Sequence, residues 1–224
     1  MSQKGELIAI EGGEGVGKTT NFTKLMRKAG DSPRIEFFRE PGGTKAGERI
    51  RDVIKSPDFD LDPVTQFLLF MASRVNLFEK VIRPYLESGV HVVLDRFDPS
   101  TYVYQIFEPG RQDLEPFFRF LKQQYLRPLV ESDWIRPFTI LLDLDPEVAI
   151  ARIHAQRRAL DVNDLKPVEF HERLRGGYKF YLERLPHVTI DASAHPDVVY
   201  HQIASMIYEK TGVDLREESA EAVA

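Results

Sequence analysis

The chain of 224 residues is 42% hydrophobic, carries a formal net charge of −5 and contains no cysteine. Its length supports one sizeable core, its acidic balance argues against a general nucleic-acid or anionic-membrane surface, and the absence of thiols excludes disulfides, thiolate metal sites and thiol catalysis. No run approaches the roughly 18 apolar residues of a membrane span, and the N-terminus lacks a signal-like apolar region, so a soluble cytoplasmic protein is expected.

The first predicted strand, ELIAIE at 6–11, runs directly into GGEGVGKTT. Gly12, four residues, then Gly17, Lys18 and Thr19 match G-x-x-x-x-G-K-[ST], and a predicted helix follows at 18–29. Glycines admit positive φ, so successive N–H groups can turn inward onto phosphate oxygens, and the helix N-terminus adds partial positive charge. Gly12, Gly13, Glu14, Gly15, Val16, Gly17, Lys18, Thr19 and Thr20 are therefore candidates for holding a nucleoside triphosphate, with Lys18 reaching the β and γ phosphates. A glycine-rich turn with a solvated lysine is the plainer alternative.

The second predicted strand, 34–38, ends in FFREPGGT, which sets Arg39 and Glu40 at the strand end and offers Thr44 as the N-cap of a helix at 45–55. A long helix is predicted over 63–87. Phe67, Phe70, Met71, Phe78, Val81 and Ile82 form one apolar stripe along it, interrupted by Arg74 four residues after Phe70. A guanidinium there needs a partner, and a carboxylate or a route to the surface is the plainer reading. The third strand, HVVLD at 91–95, ends at Asp95, which with the Thr19 hydroxyl is the expected magnesium pair. Arg96 follows at once. Arg39 and Arg96 at neighbouring strand ends suit a second anionic group beside the γ phosphate, since arginine offers forked donors; pairing with Glu40 or Asp98 is the structural alternative.

In DPSTYVYQ, Thr101 and Gln105 share one helical face and Tyr104 lies beside them. Helices at 113–131, 146–158, 168–184 and 196–211 alternate with strands at 138–144 and 187–191. The whole is an α/β pattern: a doubly wound, five-stranded parallel sheet with helices on both faces. One domain is expected over 1–214, with a frayed tail at 215–224.

EGGEGVGKTT, REPGGT, FMASR, DRF and a late arginine-bearing segment, in that order from about residue 6 to about 192, resemble the thymidylate kinase family, P-loop enzymes that phosphorylate dTMP with MgATP. The resemblance implies a P-loop nucleoside monophosphate kinase fold with a short lid at about 152–167, ATP and dTMP as partners, Mg2+ as cofactor, a homodimer, and no nucleic-acid polymer or membrane. It assigns Glu14 to the 3′-hydroxyl of the acceptor sugar and Arg39 and Arg96 to the acceptor phosphate. It assigns Phe70 and Arg74 to thymine, and Thr101, Tyr104 and Gln105 to base and sugar. Arg152, Arg157 and Arg158, in ARIHAQRRALDVNDLKP, would close over the phosphates. Gly15 occupies the place where another version of the family carries an arginine, so the lid is expected to supply that charge. Two departures stand out: Val162 follows Asp161 where the family often has Asp-Arg, and Phe97 stands where Tyr or His is usual. A phosphate acceptor is already anionic and no histidine lies in EGGEGVGKTT, REPGGT, FMASR or DRF, so the chemistry implied is positioning and charge stabilisation, with Lys18, Arg39, Asp95, Arg96, Arg157 and Arg158 as its catalytic set. Two alternatives are a kinase for another or modified pyrimidine deoxynucleoside monophosphate and a non-catalytic P-loop regulator.

Overall fold

The computed structural model describes residues 4–126, 135–155, 160 and 162–216. Its five strands are β1 (Leu7–Glu11), β2 (Ile35–Arg39), β3 (His91–Asp95), β4 (Phe138–Asp143) and β5 (His187–Asp191). Every pairing is parallel, in the order β2-β3-β1-β4-β5. The α-helices are α1 (Lys18–Ala29), α2 (Lys45–Lys55), α3 (Pro63–Leu77), α4 (Arg83–Glu87), α5 (Asp98–Tyr102), α6 (Glu115–Leu126), α7 (Pro146–Ala155), α8 (Val168–Leu182) and α9 (Pro196–Thr211). This is the doubly wound sheet that the alternating pattern predicts. None of the helices is long and apolar enough to cross a membrane among the described residues.

Side chains alternate across a strand, so a strand buried on both faces reads as a continuous apolar run. In β1, Leu7 and Ala9 enter the core on one face of the sheet, with Phe67, Phe78 and Phe118, while Ile8 and Ile10 enter the core on the other, with Leu25, Tyr200 and Ile203. The central strands therefore have no solvated face. Their one outlet is the carboxyl edge, where the chain changes direction and β1 lies between β3 and β4; ligands of such sheets gather there. At that edge the Glu40 N–H donates to the Asp95 carbonyl at 3.0 Å and the Arg96 N–H to the Ile10 carbonyl at 3.2 Å, drawing the ends of β2, β3 and β1 together.

Thr44 caps α2 as expected, its hydroxyl accepting from the Gly47 N–H at 2.9 Å. The long helix over 63–87 is continuous but not uniform: a π-helical turn, Phe78–Ile82, separates α3 from α4. Pro84 explains it. Proline has no N–H and its ring collides with the carbonyl four residues earlier, so a regular α-turn is disfavoured. In the wider turn the Arg83 N–H reaches back to Phe78. The predicted helices over 113–131 and 146–158 run in part beyond the described residues, as does most of the predicted tail.

Candidate active site

Gly12, Gly15 and Gly17 have φ of 142°, 72° and 91° and carry the loop between β1 and α1. A Cβ on Gly12 would lie 2.5 Å from the Leu142 carbonyl oxygen, and one on Gly15 only 2.4 Å from that of Ala149. The loop is thus pressed against β4 and α7, where only glycine fits. The Lys18 ammonium is folded back onto the Gly13 carbonyl and buried. Burial brings its pKa down to about 8, with Arg96 pushing the same way. Asp95 is close enough to Lys18 to oppose that shift, while Thr19 and Thr20 stand exposed in the first turn of α1.

Arg96 is the only residue other than glycine with positive φ among the described residues, at 72°. That conformation is costly for a residue with a Cβ, and such strain persists where surrounding contacts over-determine it. Here they do. Its guanidinium donates to Glu14 Oε1 at 2.8 Å, Ser100 Oγ at 3.0 Å, Tyr178 Oη at 3.2 Å and the Gly12 carbonyl at 3.4 Å, and lies 5.2 Å from the centre of the Tyr104 ring. The Tyr104 hydroxyl donates to the same Glu14 oxygen at 2.9 Å. Burial alone would raise the Glu14 carboxyl, but Arg96 and Lys18 outweigh it and hold the group at about 2. Beneath this cluster lies Glu11, wholly buried. Its Oε1 accepts the Phe97 N–H at 2.6 Å and the Ser100 N–H at 3.3 Å, and its Oε2 accepts the Ser100 hydroxyl at 2.7 Å. A carboxylate on these N–H groups satisfies the first turn of α5 and fixes the strained Arg96 loop from below.

A second cluster forms behind the end of β2. Arg74 Nε donates to Glu40 Oε2 at 2.6 Å, with the two side chains only 2% and 4% exposed. Burial pushes the Glu40 carboxyl up to about 7 against the pull of Arg74. Burial lowers Arg74 too, but Glu40 and its neighbours override that and raise it, so the arginine stays charged and the carboxyl is the partner that titrates. Phe70 is half-buried one turn away, Thr101 and Gln105 are buried, and Thr101 Oγ1 has no hydrogen-bond partner.

The structure therefore brings Glu14, Lys18, Asp95, Arg96 and Tyr104 together and sets Arg74 on a carboxylate. Arg39 points outward, more than half exposed, with Glu48 Oε2 at 3.5 Å. Arg152 donates to the Ala192 carbonyl at 2.9 Å. Arg157 and Arg158, and with them Asp161, lie outside the described residues. On the β4 side, a cavity beside the phosphate loop is lined by Gly13, Glu14, Asp143, His171, Arg175 and Tyr178. There Arg175 grips Asp143 with two bonds of 2.6 and 2.9 Å.

Glu11, Ser100 and Tyr178 are absent from the sequence-derived set although all three hold Arg96 or its loop. Glu11 left a signal, a carboxylate ending an otherwise apolar strand. Tyr178, 82 residues from Arg96, left none.

A glycine loop between β1 and α1, with a buried lysine and a fixed arginine at the adjoining strand end of a parallel sheet, defines a P-loop phosphotransferase of the nucleoside monophosphate kinase fold. Comparison with known proteins sharpens this. A model of the family described as thymidylate kinase matches residues 10–203. Thymidylate kinases of Chlorobaculum parvum and Deinococcus radiodurans are 36% and 35% identical over 215 residues, spanning 90% and 94% of this chain and 94% and 99% of theirs. That of Caulobacter vibrioides is 36% identical over 216 residues, spanning 94% of this chain and 99% of its own. The chain belongs to the thymidylate kinase family.

Proposed function

We infer that the chain transfers the γ-phosphoryl group of ATP to dTMP, giving dTDP and ADP. Family membership over most of the chain carries the reaction. The observation that ties it to the site is the 2.8 Å bond from Arg96 to Glu14, which fixes a cation at the acceptor edge to the loop that holds the donor.

The residue roles follow from the chemistry. Lys18 leaves the Gly13 carbonyl for the β and γ phosphates, and the N–H groups of residues 12–20 complete the cradle. Arg96, with Arg39 swinging in from the surface, aligns the acceptor phosphate for in-line attack. Glu14 meets the 3′-hydroxyl of the acceptor sugar, Phe70 and Arg74 take the thymine, and Thr101, Tyr104 and Gln105 make base and sugar contacts. Arg152, Arg157 and Arg158, on a lid at 152–167, bring positive charge to the transferring group and close out water. Because the acceptor oxygen is already anionic, no side chain is needed to remove a proton. Mg2+ fits the donor set: Thr19 and Asp95 offer a hydroxyl and a carboxylate, hard oxygen ligands beside a phosphate cradle, and such a site binds Mg2+ through one or two protein oxygens plus phosphates. When bound, the ion would neutralise charge on the β and γ phosphates. Residues 1–214 act as one kinase domain in the cytoplasm, paired as a homodimer. Phe117 and Phe120, exposed on α6 with rings stacked at 6.5 Å, would give such pairing an apolar face.

The test is ADP formation from MgATP against a panel of nucleoside monophosphates. Turnover should depend on the added monophosphate and be fastest with dTMP. ATP hydrolysis indifferent to any acceptor, or a clear preference for another pyrimidine, would replace this reading.

A further inference from the structure

Glu40 does not hold Arg74 alone. Asp98, the first residue of α5, approaches Arg74 Nη1 through Oδ1 at 3.6 Å, and is itself held from α6. Lys122 Nζ lies 2.7 Å from Asp98 Oδ2, and the Tyr125 hydroxyl donates to Oδ1. Lys122 also donates to the Tyr181 hydroxyl at 2.9 Å, which keeps its ammonium from wandering. Asp98 and Arg74 are each 2% exposed, and Lys122 is 23% exposed. Two carboxyl groups and two cations form one chain, reaching from α6 through α5 and α3 to the end of β2.

Within that chain Arg74 has a choice of carboxylates. It rests 2.6 Å from Glu40 and 3.6 Å from Asp98. In a buried setting one unneutralised carboxylate exerts a large pull on a neighbouring guanidinium. Lys122 is what neutralises Asp98. Without it, Asp98 would draw the guanidinium off Glu40 and turn its donors away from the base. An unpaired carboxylate would also welcome the amino donor of cytosine, which a guanidinium opposes.

We propose that Lys122 is a positioning residue for base selection: by neutralising Asp98 it keeps Arg74 on Glu40, with its remaining donors available to an acceptor oxygen of the pyrimidine. The proposal rests on Arg74 reading thymine. Lys122 itself touches no substrate; it acts from α6 through two intervening side chains.

The test compares kcat/KM for dTMP and dCMP in Lys122→Met, Asp98→Asn and the double variant, with thermal midpoints measured alongside. Methionine keeps the apolar stem of Lys122 and removes only its charge. Lys122→Met should narrow the dTMP to dCMP ratio by roughly three- to tenfold, mainly through a higher KM for dTMP. The double variant, which removes both charges, should recover the wild-type ratio, and Asp98→Asn alone should keep it, since nothing then competes with Glu40. A folded Lys122→Met with an unchanged ratio overturns the proposal. So does a double variant as unselective as Lys122→Met, because lost packing would then explain the loss. If Lys122→Met does not fold, Asp98→Asn still decides: a narrowed ratio there overturns the idea. Arg74→Lys separates the two layers. A ratio unmoved by Arg74→Lys removes thymine reading by Arg74, whereas a ratio that Arg74→Lys changes and Lys122→Met does not removes only the positioning role.

Discussion

Glu14 and Arg96 are 82 residues apart in sequence and 2.8 Å apart in space, the carboxylate in the phosphate loop and the guanidinium at the end of β3. The pair ties the phosphate loop to the carboxyl end of β3. It also has a signature in pH. Although burial works against it, the Glu14 carboxyl is held at about 2, below its ordinary 4.5, by Arg96 and Lys18. A depressed carboxyl stabilises the fold fully above its unfolded pKa and loses that contribution as pH falls through the folded one. Glu14→Gln should therefore cost about 1–3 kcal/mol near neutrality and progressively less from about pH 4.5 down to about pH 2. Urea midpoints of the two proteins across that window check it; a gap that stays constant would mean the charge of Glu14 contributes nothing.

Lys18 has the opposite problem. Burial brings its ammonium down to about 8, so above that pH the ligand-free protein holds it largely neutral. Incoming phosphates favour the charged form and raise its pKa, so binding ATP near pH 8.5 should take up most of one proton, and binding near pH 7, where Lys18 is already charged, should take up little. Calorimetry in two buffers of different ionisation enthalpy reads this directly. Lys18→Met should abolish the uptake and lower turnover by orders of magnitude with the fold intact. Uptake that persists in Lys18→Met would assign the proton to another group.

Gly15 tests how the loop is packed. Its φ is 72°, and a Cβ there would stand 2.4 Å from the Ala149 carbonyl oxygen, which leaves no room for a side chain unless α7 shifts. Gly15→Ala is expected to raise the KM for ATP and to destabilise the fold by about 1–3 kcal/mol. Gly15→Arg should do the same rather than supply a useful cation. A Gly15→Arg enzyme with normal stability and faster turnover would show that α7 yields and that the loop accepts an arginine after all.

What could be read from sequence divides by the range of the interaction. The central strands were legible because burial on both faces imposes unbroken apolar runs such as IAI in β1 and VVL in β3, the edge strands β2 and β5 by their short β-branched or aromatic runs, and the phosphate loop because its glycines, lysine and helix are adjacent in the chain. Thr44 was legible as a cap for the same local reason. The π-turn at Phe78–Ile82 had only Pro84 to announce it, and a proline inside an apolar stripe does not say whether a helix ends, kinks or widens. The partners of Arg96 and Arg74 were beyond reach. Glu14 to Arg96 spans 82 residues and Glu40 to Arg74 spans 34; the first contact is set by strand order and the second by the packing of α3 against the end of β2, neither by spacing. The apolar stripe around Arg74 showed that the guanidinium needed a partner, and the structure supplies a carboxylate.

That carboxylate changes what the substitution of Arg74 should do. Removing the guanidinium strands Glu40 in the interior, and breaking a buried pair from one side typically costs about 3–5 kcal/mol. Arg74→Ala should therefore lose both stability and dTMP activity, and the activity loss alone cannot be assigned to recognition. Arg74→Met combined with Glu40→Gln removes both charges and should recover most of the stability. Selectivity should not return with it: a hydrogen bond to a charged group is worth about 1.5–3 kcal/mol, so the dTMP to dCMP ratio should stay about ten- to a hundredfold narrower than in the parent. Glu40→Gln alone adds a check of sign. Its carboxyl is pushed up by burial to about 7 from 4.5, so what it contributes is greatest below about pH 4.5 and is lost as pH rises through about 7. The parent should consequently gain stability relative to Glu40→Gln on going from about pH 8 to about pH 5. If the double variant regains stability and selectivity together, Arg74 is a structural ion-pair partner and the thymine is read elsewhere.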